Sequence, residues 1–234
     1  MPLFVGLVCG VINGYMIGYL KLNSFIVTIA TMSMFASLAI LYTGSGILTP
    51  VNDSAAIVSA FKFIGQGKLF GVVPMPIFIW AVVCVVTGVL LACTTIGAKF
   101  YFVGASPVSA NFSGIRTSGT IMLSYAIEGF LTGLAALVTV SRVMSAQSQM
   151  GNGIELDIIL AVVLGGASIA GGKGTIVASV IGILFIGFLQ NGFTFMGMDN
   201  VYTQKIISGI ILVIALTIDV VRERRGLTWK KKAS

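Results

Sequence analysis

Helix-length apolar runs, with no alternation of polar residues, constrain this chain more than any other feature. The stretch 75–97 contains no charged residue. A bilayer core takes about 20 apolar residues per helix, and each backbone amide within it must be paired inside a helix or a closed barrel. Runs lacking period-two alternation point to helices. Composition agrees, since 9% of residues are charged and 57% hydrophobic, against roughly 25% charged in a soluble domain. The expected class is all-α, a polytopic membrane helix bundle. Spans are expected at 3–20, 25–43, 75–97, 118–141, 156–172, 174–197 and 203–221, about seven transmembrane helices. The fifth is short enough to be a broken or re-entrant element instead.

A net charge of +7 invites a nucleic-acid reading, but six basic residues lie together after the last span: Arg222, Arg224, Arg225, Lys230, Lys231 and Lys232. Such a tail marks a cytoplasmic end. With the C-terminus inside, Lys21, Lys99, Arg116, Lys173 and the tail also fall inside, and Lys62, Lys68, Arg142 and Lys205 fall outside. The partner implied is a lipid bilayer, not nucleic acid. Residues 1–221 form the transmembrane domain, with an inside loop at about 98–117, and 222–234 form the tail. Seven spans then place Met1 outside with no basic flank behind it and no signal-peptide pattern, so earlier spans are expected upstream.

Residues 164–175, LGGASIAGGKGT, crowd glycines around one lysine as a phosphate loop does. That loop needs glycine, four residues, then Gly-Lys and a hydroxyl residue. Ala167 stands where the first glycine belongs and Gly174 where the hydroxyl belongs, so Lys173 marks a tight turn between helices. The chain has no histidine, and Cys9, Cys84 and Cys93 match no metal spacing. Serine–histidine chemistry is therefore impossible. Gly6, Gly10, Gly14 and Gly18 recur every four residues and line one helix face, where a second backbone can approach closely; Gly129 and Gly133 follow the same logic. These glycines read as packing surfaces, or as surfaces that slide during transport.

The longest inside segment, AKFYFVGASPVSANFSGIRTSG (98–119), contains a small helix of its own. Ser106 suits the N-cap, Pro107 the first helical position and Gly114 the stop just beyond the end. Val108 and Phe112 share a face, either for a groove in a partner protein or for the lipid headgroups.

The segments VGASPVSANFSGI and GNGIELDIILAVVLGGASIAGGKGTIVASVIGILFIGFLQNGF resemble the membrane permease subunits of bacterial ABC importers for ribose and related monosaccharides. The likeness runs from NGYMIGYLKLNSFIVTIATMSM to IISGIILVIALTID; its first half is shared with branched-chain amino-acid permeases. The resemblance implies a subunit of about ten spans in the bacterial plasma membrane, about three of them upstream of this chain, pairing with a second permease chain around a central path. It implies no cofactor on this chain, with ATP and Mg held by cytoplasmic ATP-binding subunits and the sugar delivered by an extracytoplasmic binding protein. Pro107 to Ser113 would be the coupling helix, with Gly104, Pro107, Val108, Phe112 and Gly114 in the loop that engages the ATPase. This loop reads GASPVSA where the family commonly has Gly-Gly-Asn, acidic residues and alanines, and Glu128 replaces a small residue.

An acid within a span costs at least about 2.5 kcal/mol on insertion scales, so Glu128 is a candidate for substrate contact or for a structural pairing. Asn13, Thr28, Thr31, Ser33, Ser168, Gln190 and Asn191 supply uncharged donors and acceptors within spans, which suits a neutral polyol. Glu155 and Asp157 read as helix N-terminal acids, and Asp219 as a partner of the basic tail. Three further readings stand beside the ATP-driven one: a proton-coupled secondary transporter using Glu128, a permease for branched-chain amino acids, and a membrane-embedded enzyme, for which catalytic groups are scarce.

Overall fold

A computed structural model describes residues 1–44, 46–49, 55–69, 71–169, 171–197, 203–207, 209–211, 213, 214 and 217. The basic tail and Asp219 lie outside the described residues, as does Ala170. The chain divides into two units, Met1–Met150 and Gly151–Ser234.

In the first unit, α1 (Pro2–Gly18) opens with proline at its first position, and α2 (Ser24–Thr43) begins where the Asn23 side chain accepts the Phe25 amide at 3.0 Å. Next come α3 (Ala55–Gln66), the two-residue strands β1 (Lys68–Leu69) and β2 (Val73–Pro74), paired antiparallel, and α4 (Met75–Cys93). α5 (Thr95–Ala105), α6 (Pro107–Phe112) and α7 (Thr117–Val143) complete it. α1 and α7 lie antiparallel along the glycine stripe: Gly18 faces Ser118, Gly14 faces Met122, Gly10 faces Tyr125 and Gly6 faces Gly129. A Cβ on Gly14 would stand 2.9 Å from the Met122 Cα, so the backbones touch because no side chain separates them.

The far end of α7 is held by α3. The fully buried Ser141 hydroxyl donates to the Phe61 carbonyl, and Gln66 Nε2 donates to the Arg142 carbonyl at 3.0 Å. A bridge between Leu48 and Ala146, closed by two amide bonds of 2.9 and 2.8 Å, ties the chain after α2 to the chain after α7. The expected map has no helix at α3, because twelve residues interrupted by Lys62 fall well short of a span.

The second unit contains α8 (Ile154–Leu164) and α9 (Ile176–Phe195), and the described residues between 203 and 217 are helical. Gly182 sits against the Ala161 carbonyl, and Leu160, Ala161 and Ile186 form the core with Ile211 against it.

Among the described residues, four helices are long and apolar enough to cross a membrane: α2, α4, α7 and α9. α1, at 17 residues, is shorter. Two expected spans change. The stretch 75–97 ends at Cys93, since Thr94 turns extended and caps the separate helix α5 through the Gly97 amide; 98–105 is therefore helix rather than loop. The stretch 156–172 is helical only to Leu164, because Gly166, Gly171, Gly172 and Gly174 all take positive φ. Eleven residues rise about 16 Å, half of a hydrocarbon core of about 30 Å, so α8 does not cross on its own. Large apolar side chains such as Leu41, Phe188 and Phe195 are exposed, as lipid-facing positions are.

Candidate functional site

Four of the expected path residues meet in one cavity of about 350 Å³ between α1, α2 and α7. α1 contributes Asn13, α2 contributes Thr28 and Thr31, and α7 contributes Glu128. The glycine contact creates the arrangement: Gly10 brings α1 against α7, and Asn13, three residues on, falls beside that seam. Both threonine hydroxyls donate to their own helix, Thr28 to the Ser24 carbonyl at 2.9 Å and Thr31 to the Val27 carbonyl at 3.0 Å. Their oxygen lone pairs remain as acceptors. The Asn13 Oδ1 is buried and has no hydrogen-bond partner among the described residues, an arrangement that carries a cost until a donor arrives. Glu128 is exposed. Among the described residues, no lysine or arginine lines the cavity.

Tyr125 and Thr132 line the same space. The sequence reading passed over them, although Tyr125, Glu128 and Thr132 stand at i, i+3 and i+7 and so share a face of α7. Counting polar groups on Glu128's own face would have found both.

Of the other expected path residues, Ser33 belongs to the first unit, and Ser168, Gln190 and Asn191 belong to the second. Ser33 is exposed on α2 and donates to the Ile29 carbonyl at 3.1 Å; it does not line the cavity. Ser168 is not in a span: it sits in the loop between α8 and α9, where its amide donates to the Lys173 carbonyl at 3.1 Å. Asn191 is exposed on α9 and donates to the Gly187 carbonyl at 3.0 Å. Gln190 Nε2 lies 3.4 Å from Asp157 Oδ2, so α8 and α9 are linked by a polar pair. Asp157 thus serves that link, while Glu155 accepts the Gly153 amide at 2.9 Å in the capping manner expected.

The short helix of the loop is formed as its caps dictate. Ser106 accepts the Ser109 amide at 3.2 Å, and Pro107 occupies the first position. At the other end Gly114 takes φ +78; its amide donates to Asn111 and the Ile115 amide to Ala110, both at 3.0 Å. These are the two bonds of a Schellman cap. Ala110 is buried, whereas Phe112 is 88% and Val108 66% exposed. Gly104 and Pro107 are exposed as well. Six residues held at both ends thus present an apolar edge outward.

Residues 2–216 match the family described as "Branched-chain amino acid transport system / permease component". The chain is similar to the ribose import permease protein RbsC of Bacillus subtilis, 37% identical over 207 residues, covering 88% of this chain and 62% of the relative. It is 36% identical to RbsC of Haemophilus influenzae over 218 residues, covering 93% and 66%. It is also 32% identical to the autoinducer 2 import system permease protein LsrD of Photorhabdus luminescens over 216 residues, covering 92% and 64%. The chain therefore spans less than two thirds of the length of these relatives. No solved structure matches it.

Proposed function

This chain belongs to the family of branched-chain amino acid transport system permease components, and from that membership we propose that it is the membrane permease subunit of an ATP-driven importer carrying a neutral monosaccharide across the plasma membrane. The chain itself performs no bond chemistry. ATP and Mg belong to cytoplasmic ATP-binding subunits, an extracytoplasmic binding protein delivers the sugar, and a second permease chain completes the path. In this reading α6 and the C-terminus both lie on the cytoplasmic side, where the ATPase docks.

The observation that carries this reading is the capped helix α6 with Phe112 and Val108 exposed. An apolar edge held rigidly at both ends suits insertion into a groove of a partner, and rigidity is what transmits a push from ATP binding to the spans. The cavity supports the choice of cargo. Among the described residues no lysine or arginine lines the cavity to pair with an amino acid carboxylate, whereas Asn13, the threonine oxygens and Glu128 offer acceptors to sugar hydroxyls. The relatives named for ribose import agree with that class. The same cavity serves a proton-coupled carrier if Glu128 titrates during transport, and uptake without ATP would favour that second reading.

The test is co-purification. The chain is expressed with candidate ATP-binding subunits, extracted in mild detergent and isolated by its own tag. The ATPase should stay bound to the natural chain and leave when Phe112→Asp puts a charge on the apolar edge. An ATPase that never binds, or that binds Phe112→Asp equally well, would count against the reading.

A further inference from the structure

A different cavity, of about 390 Å³, opens between α5 and the start of α7. Lys99 of α5 and Arg116, the N-cap of α7, line it beside Thr120, and its walls include Ile96, Phe100 and Leu123. Both cations are exposed, and among the described residues no carboxylate lines the space. Among the described residues of Met1–Met150 the sole acid is Glu128, which belongs to the cavity between α1, α2 and α7.

The place of this cavity along the chain gives its membrane depth. α4 ends at Cys93 and α7 begins at Thr117, so Lys99 and Arg116 lie in the segment joining two spans, at a membrane face. Leu123 is six residues into α7, about 9 Å deeper. The cavity thus runs from a pair of cations at headgroup level to apolar walls at the level of the first methylenes. A free anion would use the cations and leave the walls unoccupied. An acidic side chain of a soluble partner would meet the cations from the water side and equally leave Leu123 uncovered. One class of ligand matches both ends.

We propose that Lys99 and Arg116 bind the phosphate headgroup of an anionic phospholipid, whose acyl chain lies along Phe100 and Leu123. Basic pockets between membrane helices recognise such headgroups, and a guanidinium beside an ammonium gives several charge-assisted donors to one phosphate. Gly114 and Ile115, the cap that ends α6, belong to the same wall. A bound lipid therefore braces the C-terminal end of α6 against α5 and α7. The site stands apart from the identity of the cargo and from the ATPase reading.

The test is native mass spectrometry of the full chain, with any subunits it retains, after exchange into detergent containing equal phosphatidylglycerol and phosphatidylcholine. The natural chain should retain phosphatidylglycerol preferentially, by about 30-fold if each basic residue contributes as it does near a membrane surface. Lys99→Gln with Arg116→Gln should bring that preference to near unity, and Lys99→Arg with Arg116→Lys should preserve it. Leu123→Trp, which fills the apolar end and leaves the cations, should also weaken retention. Equal retention of both lipids by the natural chain, or an unchanged preference in the Gln pair and in Leu123→Trp, would overturn the proposal. Displacement of the lipid by millimolar inorganic phosphate alone would assign the cations to a free anion instead. A carbodiimide cross-link from Lys99 to a co-purifying subunit, with no lipid retained, would assign them to a protein carboxylate.

Discussion

Gly6 and Gly129 face each other backbone to backbone: a Cβ on either would strike the other's carbonyl oxygen. That mutual contact fixes how α1 and α7 cross, and hence where Asn13 and Glu128 meet. The atoms in the way are backbone, which cannot swing aside. Gly6→Leu and Gly129→Leu should each destabilise the helix pair by more than the about 1–3 kcal/mol typical of an overpacked core. Thermal unfolding in detergent should fall measurably for each; an unchanged midpoint would mean that the helices are not in contact.

Gly114 offers a cleaner change, because nothing lies within 4 Å of where its Cβ would stand and the cost is conformational alone. At φ +78 a side chain costs roughly 1–2 kcal/mol. Gly114→Ala should loosen the C-terminal cap of α6 and weaken ATPase retention several-fold, while Gly114→Asn, a residue that tolerates the left-handed region, should do less harm. Equal retention across the three chains would show that the cap does not matter for docking.

Glu128 separates two mechanisms. Under ATP-driven transport of a neutral sugar, Glu128→Gln keeps a polar group in the cavity and should leave uptake within several-fold. Glu128→Leu removes it and should lower uptake by about tenfold, the equivalent of one net hydrogen bond of about 1.4 kcal/mol. If Glu128 instead carries a proton, Glu128→Gln abolishes uptake as thoroughly as Glu128→Leu. Radiolabelled uptake at one fixed pH distinguishes the two patterns.

Asn13 provides a further check on the cavity. Its buried Oδ1 lacks a partner among the described residues, so Asn13→Leu removes an unsatisfied acceptor and should not lower the thermal midpoint. Sugar uptake should nevertheless fall by several-fold. A loss of stability without a loss of uptake would make Asn13 a packing residue.

Local chemistry was legible in the sequence wherever one residue type decides the outcome. Ser106, Pro107 and Gly114 delimited α6 correctly because capping depends on a few neighbouring residues. The four-residue glycine spacing correctly marked a face of α1 for close backbone contact, since that period marks one helix side, but it did not name α7 as the partner. Hydropathy failed where apolar residues do not continue a helix. Thr94 breaks the run that ends α4, and Gly166, Gly171, Gly172 and Gly174 leave the right-handed helical region although apolar residues stand among them. Which of the candidate residues share a cavity was legible only in part, because Ser33 and Thr31 differ by two positions and so face different sides of one helix. Which side of α2 meets α1 and α7 is a tertiary fact, and it separated Thr28 and Thr31 from Ser33.

The most direct measurement of the central claim is uptake of labelled ribose into vesicles containing the chain, its candidate ATP-binding subunits and a sugar-binding protein. Uptake should require ATP, persist when a protonophore collapses the proton gradient, and be lost with Phe112→Asp. Uptake that continues without ATP and stops with the protonophore would contradict the account.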